Sequence, residues 1–305
     1  MISIQQIQYI LALAEELHFV KASERCFVTQ PTLSMQVKKA EEILGKPVFD
    51  RSVTPMKLTD FGTSIIPFLR NTIVEYDRIE EFVRKQEGTY KEIIRIGVIP
   101  TIASYMIIDM YEQWRSQMEG QQVIIQEFTT EDLLVEMEKG NVDVGILAGP
   151  VHHPSWRTTP LFVEEIKAFI PESEKVEVST EDLEAVHPWL LTAGNCLRTQ
   201  MVHFCGLANE VNESHWDYQG GNIDLLVEMV RMNGGYTLVP VNHDRSLLPQ
   251  LKTIRSASGD RPAREIIAIS NKRSLKWDSI ESLIRSIQLK YASAEPDGLT
   301  VLSWK

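Results

Sequence analysis

The chain has 305 residues, enough for two domains each with its own core, and no apolar run approaches the roughly 18 residues that span a membrane. Its formal net charge of -11 excludes a nucleic-acid binder that uses its whole surface, because affinity for phosphate comes from clustered Lys and Arg. Three cysteines are too few for a disulfide scaffold, the cysteines and seven histidines lack the paired spacing of a zinc site, and nothing at the N-terminus resembles a signal peptide. The expectation is a cytoplasmic protein without metal or cofactor.

The charge is unevenly spread. From His18 to Thr59 there are seven basic residues against four acidic ones, whereas from Lys91 onward 20 basic residues stand against 30 acidic. A DNA-binding surface is therefore expected only near the N-terminus. Ile7, Ile10, Leu11, Leu13 and Ala14 recur at helical spacing, and Phe19, Ala22 and Cys26 resume the pattern after a break at Glu16 to His18. Cys26 reads as a small buried hydrophobe. Thr29 or Gln30 can cap a third helix that carries Pro31 in its first turn, runs to about Leu44 and stops at Gly45. Leu33, Val37, Ala40 and Leu44 form its inner face. Thr32, Ser34, Met35, Gln36, Lys38 and Lys39 point outward, a mix suited to base edges and phosphates. Short strands around Val48 to Phe49 and Met56 to Leu58 make a wing with Arg51 and Lys57. Residues 1–59 thus predict a winged helix-turn-helix whose DNA-binding residues are Gln30, Pro31, Thr32, Ser34, Met35, Lys38, Arg51 and Lys57.

The runs Phe19-Val20-Lys21-Ala22-Ser23-Glu24, Val28-Thr29-Gln30-Pro31-Thr32-Leu33-Ser34, Glu41-Glu42-Ile43-Leu44-Gly45, Phe49-Asp50-Arg51 and Leu58-Thr59-Asp60-Phe61-Gly62 resemble the DNA-binding module of LysR-type transcriptional regulators. The resemblance departs in the wing, Ser52-Val53-Thr54-Pro55, where many relatives carry extra basic residues.

Ile65, Leu69, Ile73, Tyr76, Ile79 and Val83 form an apolar stripe on a helix that ends near Gly88. Such a helix spans about 40 Å at about 1.5 Å per residue, and its single stripe predicts pairing with a second copy. Pro67 either kinks it or marks a late start. The resemblance makes residues 60–88 the dimerisation linker. It further implies double-stranded DNA as partner, a homodimer through the linker helices, a homotetramer, contact with RNA polymerase, and no membrane association.

From Lys91 the pattern alternates. Strands are expected at Ile93 to Ile99, Val123 to Glu127, Val142 to Leu147, Ile166 to Ile170, Trp189 to Leu191, Trp216 to Tyr218, Tyr236 to Val239 and Ile266 to Ser270. Helices are expected at Ala103 to Trp114, Glu131 to Met137, Leu225 to Met232 and Ile280 to Leu289. This is an α/β pattern with mostly parallel sheets. Residues 91–305 resemble the periplasmic-binding-protein-like effector domain of the same family, with one subdomain at 91–160 plus 268–305, the other at 161–267, and crossings near Pro160 and Ile267. The whole is an α + α/β chain: winged helix-turn-helix, long linker helix, and an effector domain of two α/β subdomains.

Cys196 and Cys205 lie in the run Gly194-Asn195-Cys196-Leu197-Arg198-Thr199-Gln200-Met201-Val202-His203-Phe204-Cys205. A Gly-Asn turn followed by residues of helical character places Cys196 at a helix N-terminus, where unpaired N–H groups and the dipole favour a thiolate; Arg198 and an arginine from another strand would act likewise. Across a helical 197–205 the two Cα atoms stand about 13 Å apart, whereas a disulfide needs about 4.4 to 6.8 Å. Bridging therefore demands local unwinding. The segment Cys196-Leu197-Arg198-Thr199-Gln200 with Phe204-Cys205, together with Ile96-Gly97-Val98-Ile99-Pro100-Thr101 and Gly234-Gly235-Tyr236-Thr237-Leu238-Val239-Pro240, resembles the hydrogen-peroxide-sensing OxyR branch of the family.

That resemblance implies a peroxidatic Cys196, a resolving Cys205, and a peroxide pocket of Thr101, Thr130, Gly194, Asn195 and Arg264, with Thr129 competing for the role of Thr130. Asn195 stands where the branch commonly has histidine; His203 and His215 are the nearest histidines. The expected function is a redox-sensing, peroxide-responsive DNA-binding regulator and not an enzyme. A regulator that binds a small molecule in the inter-subdomain cleft, its cysteines merely packed, is the alternative. A thiol peroxidase or a periplasmic solute binder is opposed by the DNA-binding module and the lack of a signal peptide.

Overall fold

The computed structural model describes residues 1–86, 91–206, 220–292 and 298–303. The chain divides into two compact units, Met1–Tyr90 with Glu138–Gly140 and Lys91–Met137 with Asn141–Lys305. In the first, α1 (Ile4–Glu16) opens on a capping box in which Ser3 and Gln6 satisfy each other's backbone N–H groups. It is followed by α2 (Phe19–Arg25) and α3 (Gln30–Leu44), with Thr29 at the N-cap of α3, Pro31 in its first turn and left-handed Gly45 at its end. Leu33, Val37 and Ala40 of α3 are buried with Ile7, Ile10 and Leu13 of α1 and Ala22 of α2. The wing is a two-residue antiparallel pair, β1 (Phe49–Asp50) with β2 (Lys57–Leu58).

The linker helix α4 (Asp60–Gln86) begins where Thr59 Oγ1 accepts from the Gly62 N–H at 2.9 Å and donates to the Pro47 carbonyl at 2.8 Å. A Cβ on Gly62 would stand 2.1 Å from the Val48 carbonyl oxygen, so only glycine lets the helix approach the wing this closely. The helix continues through Pro67, which rules out a late start. Ile66 and Leu69 are buried in the first unit's core, while Ile79, Phe82 and Val83 are exposed. The expected end near Gly88 lies outside the described residues.

The second unit runs β3 (Ile93–Val98), α5 (Pro100–Gln117), β4 (Gln122–Glu127), α6 (Thr130–Lys139), β5 (Val144–Ala148), β6 (Trp156–Phe169), β7 (Glu177–Ser179), α7 (Thr180–Glu184) and α8 (Cys196–Phe204). There follow α9 (Ile223–Asn233), β8 (Thr237–Pro240), a 3-10 turn at Arg245–Gln250, β9 (Leu251–Arg255), β10 (Arg261–Asn271), α10 (Trp277–Lys290) and β11 (Leu299–Val301). The strands lie in the order β4-β3-β5-β10-β6-β9-β7, with β11 beside β10 and β8 beside β6. The unit holds two apolar cores. One gathers β3, α5, β5 and α10 around Ile96, Met106, Ile146 and Ile284; the other gathers β8, β9 and α9 around Phe169, Leu226, Val239 and Ile254.

The expectation of mostly parallel pairing holds for β3 with β4 and β5, but β6 and β10 pair antiparallel over most of their length. These long strands carry the chain between the cores, and most of β6 escaped the sequence reading because Arg157, Pro160, Glu164 and Glu165 interrupt its apolar pattern. Leu161 and Phe162 still pack in the first core while Ile166 lies in the second, so β6 crosses beyond Pro160; Ile266 and Ile267 likewise belong to the first core, so β10 crosses before Ile267. The expected strand at Trp189 to Leu191 is not one: there is a single bridge, Pro188 to Tyr236, with a Trp189 N–H to Tyr236 carbonyl bond of 2.8 Å beside it. The expected strand at Trp216 to Tyr218 lies outside the described residues.

Candidate functional site

Helix α8 lies between the two cores. The turn before it is closed by Thr192, whose carbonyl accepts from the Asn195 N–H at 3.3 Å and from Asn195 Nδ2 at 3.0 Å, with Gly194 at a φ of 91°. Asn195 is the N-cap of α8, yet its side chain makes no capping bond to the helix. Cys196 occupies the first helical position and Cys205 the C-cap. Nine residues are about two and a half turns, so the two sulfurs face opposite sides of the helix. Cys196 is accordingly buried in the first core, while Leu197, Met201 and Cys205 are buried in the second. All three cysteines of the chain are free thiols.

The surroundings of the two thiols differ. Burial pushes the Cys205 thiol up to about 12. Its neighbour Tyr236 has a fully buried hydroxyl without a hydrogen-bond partner among the described residues, and burial, then the proximity of Cys205, raises its pKa as well. Near Cys196 lies the wholly buried Arg264. Burial works against that guanidinium's charge, but Glu164, then Tyr105 and Cys196, outweigh it and hold the arginine above its ordinary value. Arg264 Nε donates to Glu164 Oε1 at 2.8 Å, Nη1 to Thr101 Oγ1 at 2.8 Å and Nη2 to the Thr101 carbonyl at 3.0 Å. Arg198, in contrast, donates to the Leu191 carbonyl at 2.7 Å.

Thr101 opens α5 and Thr130 opens α6, and because β3 and β4 are parallel both helix starts fall at the same edge of the sheet. Thr129 is consumed as a cap: its hydroxyl accepts from the Asp132 N–H and donates to Asp132 Oδ2 at 2.8 Å. The Thr130 hydroxyl is buried with no partner among the described residues, which makes it the available threonine of the two. Gln200, one turn beyond Cys196 on the same face, is fully buried; its Nε2 donates to the Leu302 carbonyl at 2.8 Å and its Oε1 has no partner among the described residues. His203 lies on α8, and His215 lies outside the described residues.

Two groups near this site, Glu164 and His243, were not singled out from the sequence. Glu164 accepts from the Tyr105 hydroxyl at 2.9 Å and from Asn242 Nδ2 at 3.0 Å as well as from Arg264. A cleft of about 330 Å³ is lined by Pro100, Thr101, Ser104, Glu127, Asp224 and His243. There His243 bridges the two cores, Nδ1 3.2 Å from Ser104 Oγ and Nε2 2.8 Å from Asp224 Oδ1. No local motif announces these residues, since each contact joins segments far apart in the chain.

In the first unit, Gln30, Pro31, Met35 and Lys38 are exposed on α3, with Thr32 and Ser34 half-buried among them. Lys57 is exposed on the wing. Arg51 is tied down: Nη2 lies 2.8 Å from Glu41 Oε2 and the guanidinium lies 5.2 Å from the Phe19 ring. Glu41 Oε1 also accepts from the Val48 and Phe49 N–H groups, so Arg51 helps fasten the wing to α3.

Comparison with known proteins bears on both units. The bacterial regulatory helix-turn-helix protein, lysR family, matches residues 4–63, and the LysR substrate binding domain matches residues 87–289. The DNA-binding transcriptional dual regulator OxyR of Escherichia coli is 31% identical over 245 residues, which cover 78% of this chain and 79% of that protein. A hydrogen peroxide-inducible genes activator of Pectobacterium carotovorum is 29% identical over 242 residues, 78% of this chain and 80% of the relative. Among solved structures, full-length OxyR from Pseudomonas aeruginosa with a cysteine-to-aspartate substitution superimposes with a TM-score of 0.68 at 26% identity, covering 95% of this chain and 98% of that one.

Proposed function

Because the chain belongs to the LysR family of helix-turn-helix regulators, we propose that it is a hydrogen-peroxide-responsive, DNA-binding transcriptional regulator whose signal is a disulfide between Cys196 and Cys205. The observation that carries this reading is the placement of the two thiols at opposite ends and on opposite faces of α8, one beside a buried arginine and the other in an apolar core.

The Cys196 thiolate attacks a peroxide oxygen. An S–O bond forms as the O–O bond breaks, and the departing hydroxide takes up a proton to leave as water. The Cys205 thiolate then attacks the sulfenic sulfur; the S–S bond forms and the second oxygen leaves as water. Arg264 offsets negative charge on sulfur and on the departing oxygen, while the hydroxyls of Thr101 and Thr130 and the backbone of Gly194 and Asn195 serve to hold peroxide. Asn195, an amide with no titratable nitrogen, leaves proton delivery to solvent, with the threonine hydroxyls able only to relay it. Because α8 holds the sulfurs in different cores, the bridge forms only if the helix unwinds, and the second core repacks with it.

On DNA, α3 lies in the major groove with Gln30, Thr32, Ser34 and Met35 toward the bases and Lys38 toward phosphate. The exposed Ile79, Phe82 and Val83 of α4 pair with a second copy, and two such dimers make the tetramer that would meet RNA polymerase at a promoter. Lys38→Ala should weaken binding to all sequences and lower its salt dependence; unchanged affinity and salt slope would contradict this orientation of α3.

The deciding experiment is a non-reducing peptide map of the full-length protein before and after a slight excess of peroxide. One intramolecular Cys196–Cys205 linkage is expected, and two free thiols after treatment would overturn the reading. The polar cleft beside Thr101 favours a second reading, a small effector bound between the subdomains. A Cys196→Ser protein whose DNA footprint still responds to oxidant would support it.

A further inference from the structure

Glu164 and Arg264 are direct partners in the register of β6 and β10, at the place where both strands pass from one core to the other. Both side chains are wholly buried. The carboxylate is a hub: besides Arg264 Nε it receives the Tyr105 hydroxyl from α5, in the first core, and Asn242 Nδ2 from the segment after β8, on the side of the second. Arg264 spends three of its five N–H donors on Glu164 and Thr101. The cation beside Cys196 is thus half of a neutral pair.

We propose, resting on the peroxide-sensing reading above, that Glu164 is a positioning residue that sets how readily Cys196 reacts with peroxide, by neutralising Arg264 and aiming its guanidinium. An unpaired buried arginine would stabilise the thiolate strongly; the carboxylate 2.8 Å from its Nε removes much of that field. The same contact fixes the guanidinium plane, so that Nη1 and Nη2 both reach Thr101. Among the described residues, Tyr105 on α5, Cys196 on α8 and Tyr291 at the end of α10 face the pair, with Asp109, which accepts from the Tyr291 hydroxyl at 3.0 Å, and Arg245 one step further out. Tyr105, Cys196 and Tyr291 are neutral when protonated, and Glu164 is the carboxylate bonded directly to Arg264. A carboxylate there makes Cys196 less reactive than the arginine alone would.

The test is the titration of the Cys196 thiolate in the full-length chain, read by ultraviolet absorbance as the difference between each protein and its Cys196→Ser counterpart, with no peroxide present. Glu164→Gln keeps the side chain's volume and its acceptor oxygen but deletes the charge. Its midpoint is expected about one pH unit below that of the unsubstituted protein, which corresponds to roughly tenfold more thiolate at any pH below both midpoints. Glu164→Asp, which keeps the charge, should lie near the unsubstituted value. A midpoint that does not move in Glu164→Gln, or that moves equally far in Glu164→Asp, overturns the proposal. If Glu164→Gln does not fold, Asn242→Ala takes its place: losing the amide that spreads the carboxylate's charge should move the midpoint upward, and no movement overturns the proposal. Failure of the functional reading would look different, because a Cys196 that ignores peroxide leaves this titration intact.

Discussion

The two ends of α8 are built on opposite principles. At the N-terminal end Cys196 sits beside charge: Arg264, with its counter-ion Glu164 and the hydroxyl of Thr101 both accepting from the guanidinium and all three buried. At the C-terminal end Cys205 sits among Leu197, Met201 and Tyr236, and burial alone pushes its thiol to about 12. A charged setting favours thiolate and an apolar one opposes it. On the proposed reading, one helix then presents the thiol that attacks at one end and the thiol that resolves, held back until its surroundings open, at the other. Under the proposed mechanism these roles cannot be exchanged.

The largest effect should come from breaking that asymmetry directly. Cys196→Ser should abolish sulfenic acid formation on α8 and the change in DNA footprint with peroxide. Cys205→Ser should keep the first step at nearly its original rate and accumulate sulfenic acid at Cys196, readable as a dimedone adduct by mass spectrometry. Equal peroxide reactivity in the two variants would show that the ends of the helix are chemically alike.

Much of this contrast is legible in the amino-acid sequence, and the remainder comes from topology. The Gly194-Asn195 turn and the helical run after it place Cys196 at a helix start, and α8 begins there. The three helices and the wing of the first unit follow from apolar spacing, the Pro31 position and Gly45. Glu164 was invisible because its meaning depends on the antiparallel register of β6 and β10, which sets it opposite a residue a hundred positions later. Two of the residues that disguise β6 as loop, Glu164 and Glu165, lie at the crossing between cores. Trp189 to Leu191 misleads in the other direction: an apolar triplet reads as a strand, but the bridge to Tyr236 is made by Pro188 just before it, with one Trp189 N–H bond beside that bridge.

A second contrast is energetic. Arg264→Met would leave Glu164 buried without its counter-ion, held only by Tyr105 and Asn242, and should lower the stability of the second unit by about 3–5 kcal/mol. Cys205→Ala removes one sulfur from an apolar core and should cost about 1 kcal/mol. Denaturant unfolding of each variant measures the difference. Replacing Glu164 by Gln in the Arg264→Met background should recover much of the loss, because the penalty arises from the abandoned charge; no recovery would mean that Arg264 acts through packing.

The smallest effect is the most informative about how the apolar end works. Cys205 has a folded value of about 12, above the ordinary thiol value of about 8.5 that it would regain once α8 opens. The fold therefore favours the protonated thiol. Stability from this source is complete below about pH 8.5 and is lost as pH rises from there through the folded value. If resolution proceeds by opening of α8 followed by attack of the exposed thiolate, its rate should climb about tenfold per pH unit and keep climbing beyond about 8.5. Below that value the opened thiol gains thiolate; above it, opening itself becomes easier. A thiol resolving from an already accessible site would instead level off near its own midpoint. Pre-forming the sulfenic acid and following disulfide closure across this range by quenched peptide mapping separates the two. A plateau near pH 8.5 would mean that the C-terminal end of α8 is already open in solution, and the contrast with Cys196 would then be one of charge alone.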